Sequence, residues 1–411
     1  MQSQRPKCDH GANAIVWRMA VSGLCASLVG IGLSRFAYTP VLPELIAAHW
    51  FQPSQAAYLG AANLAGYLAG ALLAQAVTSR ISSIATLRMM MLVASAAFFA
   101  CAAPLSFFWF FLWRFASGVA GGMLMALVAP TVLPHVPTAR RGLVGGAIFV
   151  GVGCGIIASG TLVPALLRLG LAQTWIGLGS LALVLSAISW NGWPAAEPLA
   201  GRASTLDVGC RVVFGGVALG ALYLEYALNA FGLVPHMIFL VDFVARGLGR
   251  GLAAAAQDWV LFGLGALGGP VLAGAIADRL GFRVTLRLAF VVQAAAVSIL
   301  AVYTDPVSVT VSSLIIGAFV PGIVPLVLGR LHELVPGNAA RQKAAWGLCT
   351  TAFALGQALG GFGLSDIFVR TEGGYRLLFM LGAAALFLCC AIEIAMAALG
   401  APLEAVSADT V

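Results

Sequence analysis

Long apolar runs alternate with short polar breaks along almost the whole chain. A helix needs roughly 20 apolar residues to cross a bilayer. Twelve runs meet that length, at 17–46, 54–78, 85–104, 107–133, 142–168 and 174–192 in the first half and at 211–241, 252–277, 284–303, 307–330, 344–368 and 375–399 in the second. Strands of a membrane barrel would be about 10 residues long and alternate in polarity; these runs do neither. The pattern predicts an all-α membrane protein of twelve transmembrane helices in two pseudo-symmetric six-helix bundles. Residues 1–192 form the first bundle and 211–411 the second. The longest polar gap, 193–210, carries Pro194, Glu197, Pro198, Arg202 and Asp207 and reads as the linker between them.

Composition removes the soluble alternative. The 411 residues are 61% hydrophobic and only 9% charged, with a mean hydropathy of +0.99; soluble domains carry about 25% charged residues. The net charge of +7 marks no nucleic-acid partner, because the positive residues follow topology. With the N-terminus inside, fifteen of the 22 Lys and Arg residues fall on that side, five fall opposite, and Arg35 and Arg114 lie within spans. That bias obeys the positive-inside rule and predicts both termini in the cytoplasm. The first span contains Arg35 and no small-residue cleavage site, so it is expected to stay as an uncleaved helix.

Polar residues inside the runs are the functional candidates, since a charge at the bilayer centre is costly. Arg35 lies deep in the first span, with Tyr38 on an adjacent face. It needs water, an acid or an anionic ligand, so a structural ion pair and a substrate contact are both open. Arg114 in the fourth span either faces a cavity or a carboxylate, or snorkels to the outer interface. In the seventh span Glu225, Asn229 and His236 fall within roughly 40° of one helix face at 100° per residue. A carboxylate held out of water suits a proton-coupling site. Glu225 and His236 are the proton-relay candidates, with His236 expected near the outer end bonding a loop. Asn63, Tyr67, Thr350 and Gln357 rank as lining residues. Asp242, Arg246 and Arg250 are expected to form an exposed outer cluster. Glu393 has no evident partner.

An internal repeat connects the halves. Gly70–Arg88 aligns with Gly269–Arg287 at a constant offset of 199, with eight identities in nineteen positions, among them Arg80/Arg279 and Thr86-Leu87-Arg88/Thr285-Leu286-Arg287. Duplication explains the ungapped match; shared Ala/Leu-rich composition is the competing explanation. Ser79 and Ser82 stand where the second copy has Asp278 and Gly281.

The stretch Gly274-Ala-Ile-Ala-Asp278-Arg279-Leu-Gly281-Phe-Arg283 resembles the signature of the major facilitator superfamily, which forms the cytoplasmic turn between adjacent helices of a bundle. Arg114 with Gly118, Gly121 and Gly122 resembles its second signature, and Gly145–Gly160 its glycine-rich fifth helix, without the Gly-Pro pair of the antiporter form. Gly32–Pro43, Leu233–Gly247 and Pro321–Arg330 look like the YbfB/YjiJ-type branch. The resemblance implies a bacterial inner-membrane permease with a gate formed by Asp278, Arg279 and Arg283. The function expected is secondary active transport of a small polar or anionic organic solute by alternating access, coupled to protons. Arg35, Tyr38, Arg114 and Asn229 would bind substrate, and Glu225 and His236 would couple the proton. A proton-driven exporter of amphipathic compounds is the alternative, and a non-transporting membrane sensor a more distant one. The expected partners are the solute, the proton and the lipid bilayer, with the chain a monomer.

No enzyme is expected. The chain has no GxxxxGK[ST] loop, HExxH, CxxC or GxSxG, and its five histidines are dispersed, so neither cofactor nor metal is implied. The eight cysteines lie mostly in apolar runs as small core residues.

Overall fold

The computed structural model describes residues 9–137, 140–194, 216–337 and 339–398. Twelve helices among them are long and apolar enough to span a membrane, and no strand occurs in the described residues. They are α1 (Ala14–Ala47), α2 (Pro53–Thr78), α3 (Ser83–Cys101), α4 (Phe107–His135), α5 (Val144–Leu167), α6 (Leu171–Ser189), α7 (Val217–Gly247), α8 (Gly251–Leu280), α9 (Phe282–Val302), α10 (Pro306–Leu334), α11 (Ala344–Arg370) and α12 (Tyr375–Ala398). An even number of crossings puts the first and last helices' outer ends on one face, the terminal face; the opposite one is the far face. Of the expected linker, Trp193 and Pro194 are described and 195–210 lie outside the described residues.

Local chemistry sets the helix ends. Ser82, Ser106 and Asp305 each accept a backbone N–H from the first turn of the helix that follows, which relieves donors that have no carbonyl partner. Gly281 joins α8 to α9 at φ +81°, a conformation that side chains disfavour.

The repeat reaches well beyond nineteen residues. A Cβ on Gly66, Gly70 or Gly118 would collide with the carbonyl oxygen of Phe115, Val119 or Asn63 respectively. One on Gly265, Gly269 or Gly317 would collide with that of Leu314, Ala318 or Phe262. Each residue of the second set is its counterpart in the first plus 199. The α2–α4 crossing is therefore rebuilt at α8–α10, with backbones in contact through the same glycine positions. Thr86 and Thr285 donate to the carbonyls of Ser82 and Gly281 at 3.0 and 2.9 Å, again at that offset.

Two helices are broken, the first of each half. α1 passes from α-helix into a π-helical turn at Leu28–Leu33 and resumes at Tyr38. α7 is α-helical to Val234 and then winds through π-helical turns at Pro235–Phe239 and Phe243–Gly247. Proline lacks the N–H that the ladder needs, so Pro235 sits where the ladder changes. In α1 the break lies against α5, where a Cβ on Gly32 would approach Gly155 Cα to 2.6 Å.

The second break corrects two expectations. α7 continues to Gly247, so Asp242 is fully buried, not part of an exposed cluster. It accepts from Arg246 Nη1 at 3.2 Å and from the Tyr375 hydroxyl of α12. His236 is buried as well and bonds a neighbouring helix rather than a loop.

Candidate functional site

The break in α1 carries Arg35 into the interior. Its side chain is fixed on two sides. The guanidinium lies 4.3 Å above the Tyr67 ring of α2, and Nη1 donates to Gln357 Oε1 of α11 at 2.9 Å. Nε and Nη2 are buried and bond to nothing in the protein. Arg35 is 9% exposed.

Arg114 of α4 is 3% exposed, which removes the snorkelling alternative. Its guanidinium lies 4.4 Å above the Tyr38 ring, and Nη1 donates to the Ser34 carbonyl at 2.8 Å, a carbonyl that the α1 break leaves free. Nε has no partner. Asn63 of α2 supports the same corner, donating to Ser117 Oγ at 2.9 Å. Among the described residues neither arginine forms an ion pair. Two adjacent buried cations therefore stand on aromatic rings without a carboxylate.

Tyr38 belongs to the same layer. Its hydroxyl donates to the Ala56 carbonyl at 2.6 Å and its ring carries Arg114, while Arg35 pairs with Tyr67.

The α7 candidates form a second polar layer, and none of their hydrogen bonds reaches the arginines. Glu225 is 2% exposed and forms no ion pair among the described residues. Asn229 Nδ2 donates to Gln293 Oε1 of α9 at 2.8 Å. The His236 contact fixes a tautomer. The Ser312 hydroxyl donates to the Ala296 carbonyl at 2.6 Å, so His236 Nε2, at 2.8 Å from Ser312 Oγ, must be the donor there. Nδ1 is then a buried acceptor with no partner.

The residues expected to form a gate, Asp278, Arg279 and Arg283, lie at the terminal face. Asp278 and Arg279 are exposed, and among the described residues Asp278 forms no ion pair. Arg287, the last residue of the repeat, bonds Glu393 of α12 at 2.6 Å. This gives Glu393 its partner. Arg88, the counterpart in the first copy, donates to the Trp190 carbonyl at the end of α6.

Sequence reasoning passed over Gln293, Ser312 and Asp258, a carboxylate of α8 that accepts from Thr310 of α10 at 2.8 Å. Each is a polar residue in an apolar run. The sequence shows that much; which helix supplies the partner depends on packing.

The sequence matches the family described as "Uncharacterised MFS-type transporter YbfB" over residues 27–394. No curated protein matches it at a significant level. Among solved structures, the nucleoside transporter NupG, crystallised as a point mutant, is similar at a TM-score of 0.74 and 14% identity, over 93% of this chain and 99% of that one. A D-xylose–proton symporter is similar at 0.69 and 16% identity, over 91% and 97%. The proton:xylose symporter XylE bound to 6-bromo-6-deoxy-D-glucose is similar at 0.70 and 15% identity, over 95% and 96%. At these identities the likeness shows the shared fold.

Proposed function

This chain belongs to the YbfB-type family of major facilitator superfamily transporters, and from that premise we propose that it is a proton-coupled secondary transporter of a small polar or anionic organic solute. It works by alternating access, the two six-helix bundles rocking about a central site. The membrane is the bacterial inner membrane, with both termini in the cytoplasm, a reading the basic residues of the terminal face support.

One observation carries the solute class: Arg35 and Arg114 are buried side by side with N–H groups to spare and no carboxylate. An uncompensated cation in a membrane protein marks a ligand path. Glu225 carries the coupling proton. A buried acid that forms no salt bridge is free to exchange a proton as its access alternates, and Asn229 lines the path beside it.

Uptake of a broad panel of organic acids, amino acids and sugars by vesicles containing the purified protein tests this. Arg35→Ala loses uptake at least tenfold. Glu225→Gln loses the dependence of uptake on an imposed pH gradient while retaining solute exchange. Wild-type uptake and pH dependence in both variants would overturn the assignment.

A further inference from the structure

Arg35 is held so that one edge is left over. A guanidinium has three hydrogen-bonding sides. On one of them Nε–H and Nη2–H lie parallel, about the spacing of the two oxygens of a carboxylate, so that side accepts a carboxylate in two hydrogen bonds at once. In this protein Nη1 is engaged by Gln357, one ring face is covered by Tyr67, and Nε and Nη2 are the two atoms without a partner. Leaving a buried donor unpaired is costly, and here two such donors lie on the same edge of one fixed cation. Arg114 adds charge but spends Nη1 on the Ser34 carbonyl.

We propose that the transported solute carries a carboxylate group and that Arg35 takes it side-on through Nε and Nη2. The proposal rests on the reading of this layer as the transport site and narrows it. A carboxylate is favoured over a phosphate ester because a single two-pronged edge satisfies its two oxygens, whereas phosphate presents three strong acceptor oxygens. Gln357 is a positioning residue. It reaches from α11 of the second bundle to Arg35 of the first and turns the free edge away from the glutamine. Solute held on that edge is thus attached to a side chain that ties the two bundles together.

The test uses the purified full chain in detergent and matched probes at millimolar concentration: benzoate against benzamide, hexanoate against hexanamide, succinate, and phenyl phosphate. Binding is read as the rise in Tm and as an apparent Kd by titration. Carboxylates raise Tm and their amides do not. Arg35→Lys keeps the charge, loses the fork and weakens carboxylate binding at least tenfold. Gln357→Glu supplies a carboxylate from the protein and weakens added carboxylates by a similar factor, while leaving Arg35 in place should the arginine variant fail to fold. Equal protection by acid and amide, protection by phenyl phosphate alone, no protection by any probe, or wild-type carboxylate affinity in a folded Arg35→Lys would each overturn the proposal. Vesicle uptake separates it from the broader reading. If only solutes without a carboxylate are carried, the carboxylate assignment fails and transport stands. If carboxylates bind but no solute of the panel crosses, the site stands and transport fails.

Discussion

A guanidinium placed inside a bilayer costs about 2.5–3.5 kcal/mol on insertion scales. Arg35 recovers about 2 kcal/mol from the desolvated Tyr67 ring and about 0.6 kcal/mol from one interhelical hydrogen bond to Gln357. These terms hold the cation in place but leave Nε and Nη2 unpaired, and that uncompensated edge is the part left for a ligand. Tyr67→Leu is therefore expected to lower stability by about 1–2 kcal/mol, and Tyr67→Phe by much less, both read as Tm shifts in detergent. Ser312→Ala removes the acceptor of His236 Nε2–H and should cost about 1–3 kcal/mol by the same assay. A destabilisation no larger than that of an exposed Ser→Ala control would show that the hydrogen bond carries no weight. Arg35, Arg114, Glu225 and His236 were all legible as polar residues in apolar runs. The pairing of Arg35 with Tyr67 was not, because it depends on the α1 break, which offsets Arg35 from the straight helix that spacing assumes. The depth of His236 is not legible because the apolar run ends at 241, which puts the residue near the outer end, whereas α7 continues through its π-helical turns to Gly247.

At the scale of helices, the glycines where backbones touch are the least replaceable positions. Gly269→Val should disrupt the α8–α10 crossing by more than the 1–3 kcal/mol typical of overpacking, since the obstacle is a backbone carbonyl that cannot rotate away. Gly274→Ala, five residues on with nothing within 4 Å, should stay within about 0.5 kcal/mol of wild type. Thermal unfolding of the two variants checks both, and comparable losses would sink the argument. The corresponding caps Ser106 and Asp305 differ in one respect. The hydrogen bonds from Ser308 hold the Asp305 carboxyl below the usual carboxylate range. Its contribution is fully present above the ordinary carboxylate pKa and is lost as pH falls through the lowered value. Asp305→Asn should remove that acid-side loss, measured as Tm against pH. Element existence was legible throughout, because twelve apolar runs have few alternatives. The repeat was visible only where its side chains matched, yet it persists through glycine contacts that a short alignment does not weigh.

At the scale of the whole molecule, the described hydrogen bonds that cross between the bundles lie from mid-membrane to the far face. They are Arg35 to Gln357, Thr39 to the Met237 carbonyl at 2.6 Å, Trp259 to Ser159 at 2.9 Å, and Tyr58 to Asp366 at 3.4 Å. The bundles are joined there, while Asp278 and Arg279 stand exposed at the terminal face. In the proposed cycle Asp278, Arg279 and Arg283 form a gate at the terminal face. Asp278→Asn should slow transport several-fold and leave the Kd for solute within about twofold, whereas Arg35→Ala weakens the Kd and loses uptake with it. Vesicle uptake rates set beside Tm-based affinities decide between them; a weakened Kd in Asp278→Asn would remove the gate assignment.

The offset of 199 has one more consequence. The packing was copied and the chemistry was not. Adding 199 to Arg35, Tyr38, Asn63 and Arg114 arrives at Val234, Met237, Phe262 and Ser313, and subtracting it from Glu225, Asn229, His236 and Asp242 arrives at Ala26, Gly30, Ala37 and Pro43. One half holds the buried cations and the other the buried acids and the imidazole, on scaffolds that cross their helices alike. Under the proposed function this is a division of labour between twins. One recognises the solute, the other handles the proton, and neither half retains a spare set of the other's tools. Joining two copies of either half would then give a molecule with the right architecture and half of the mechanism.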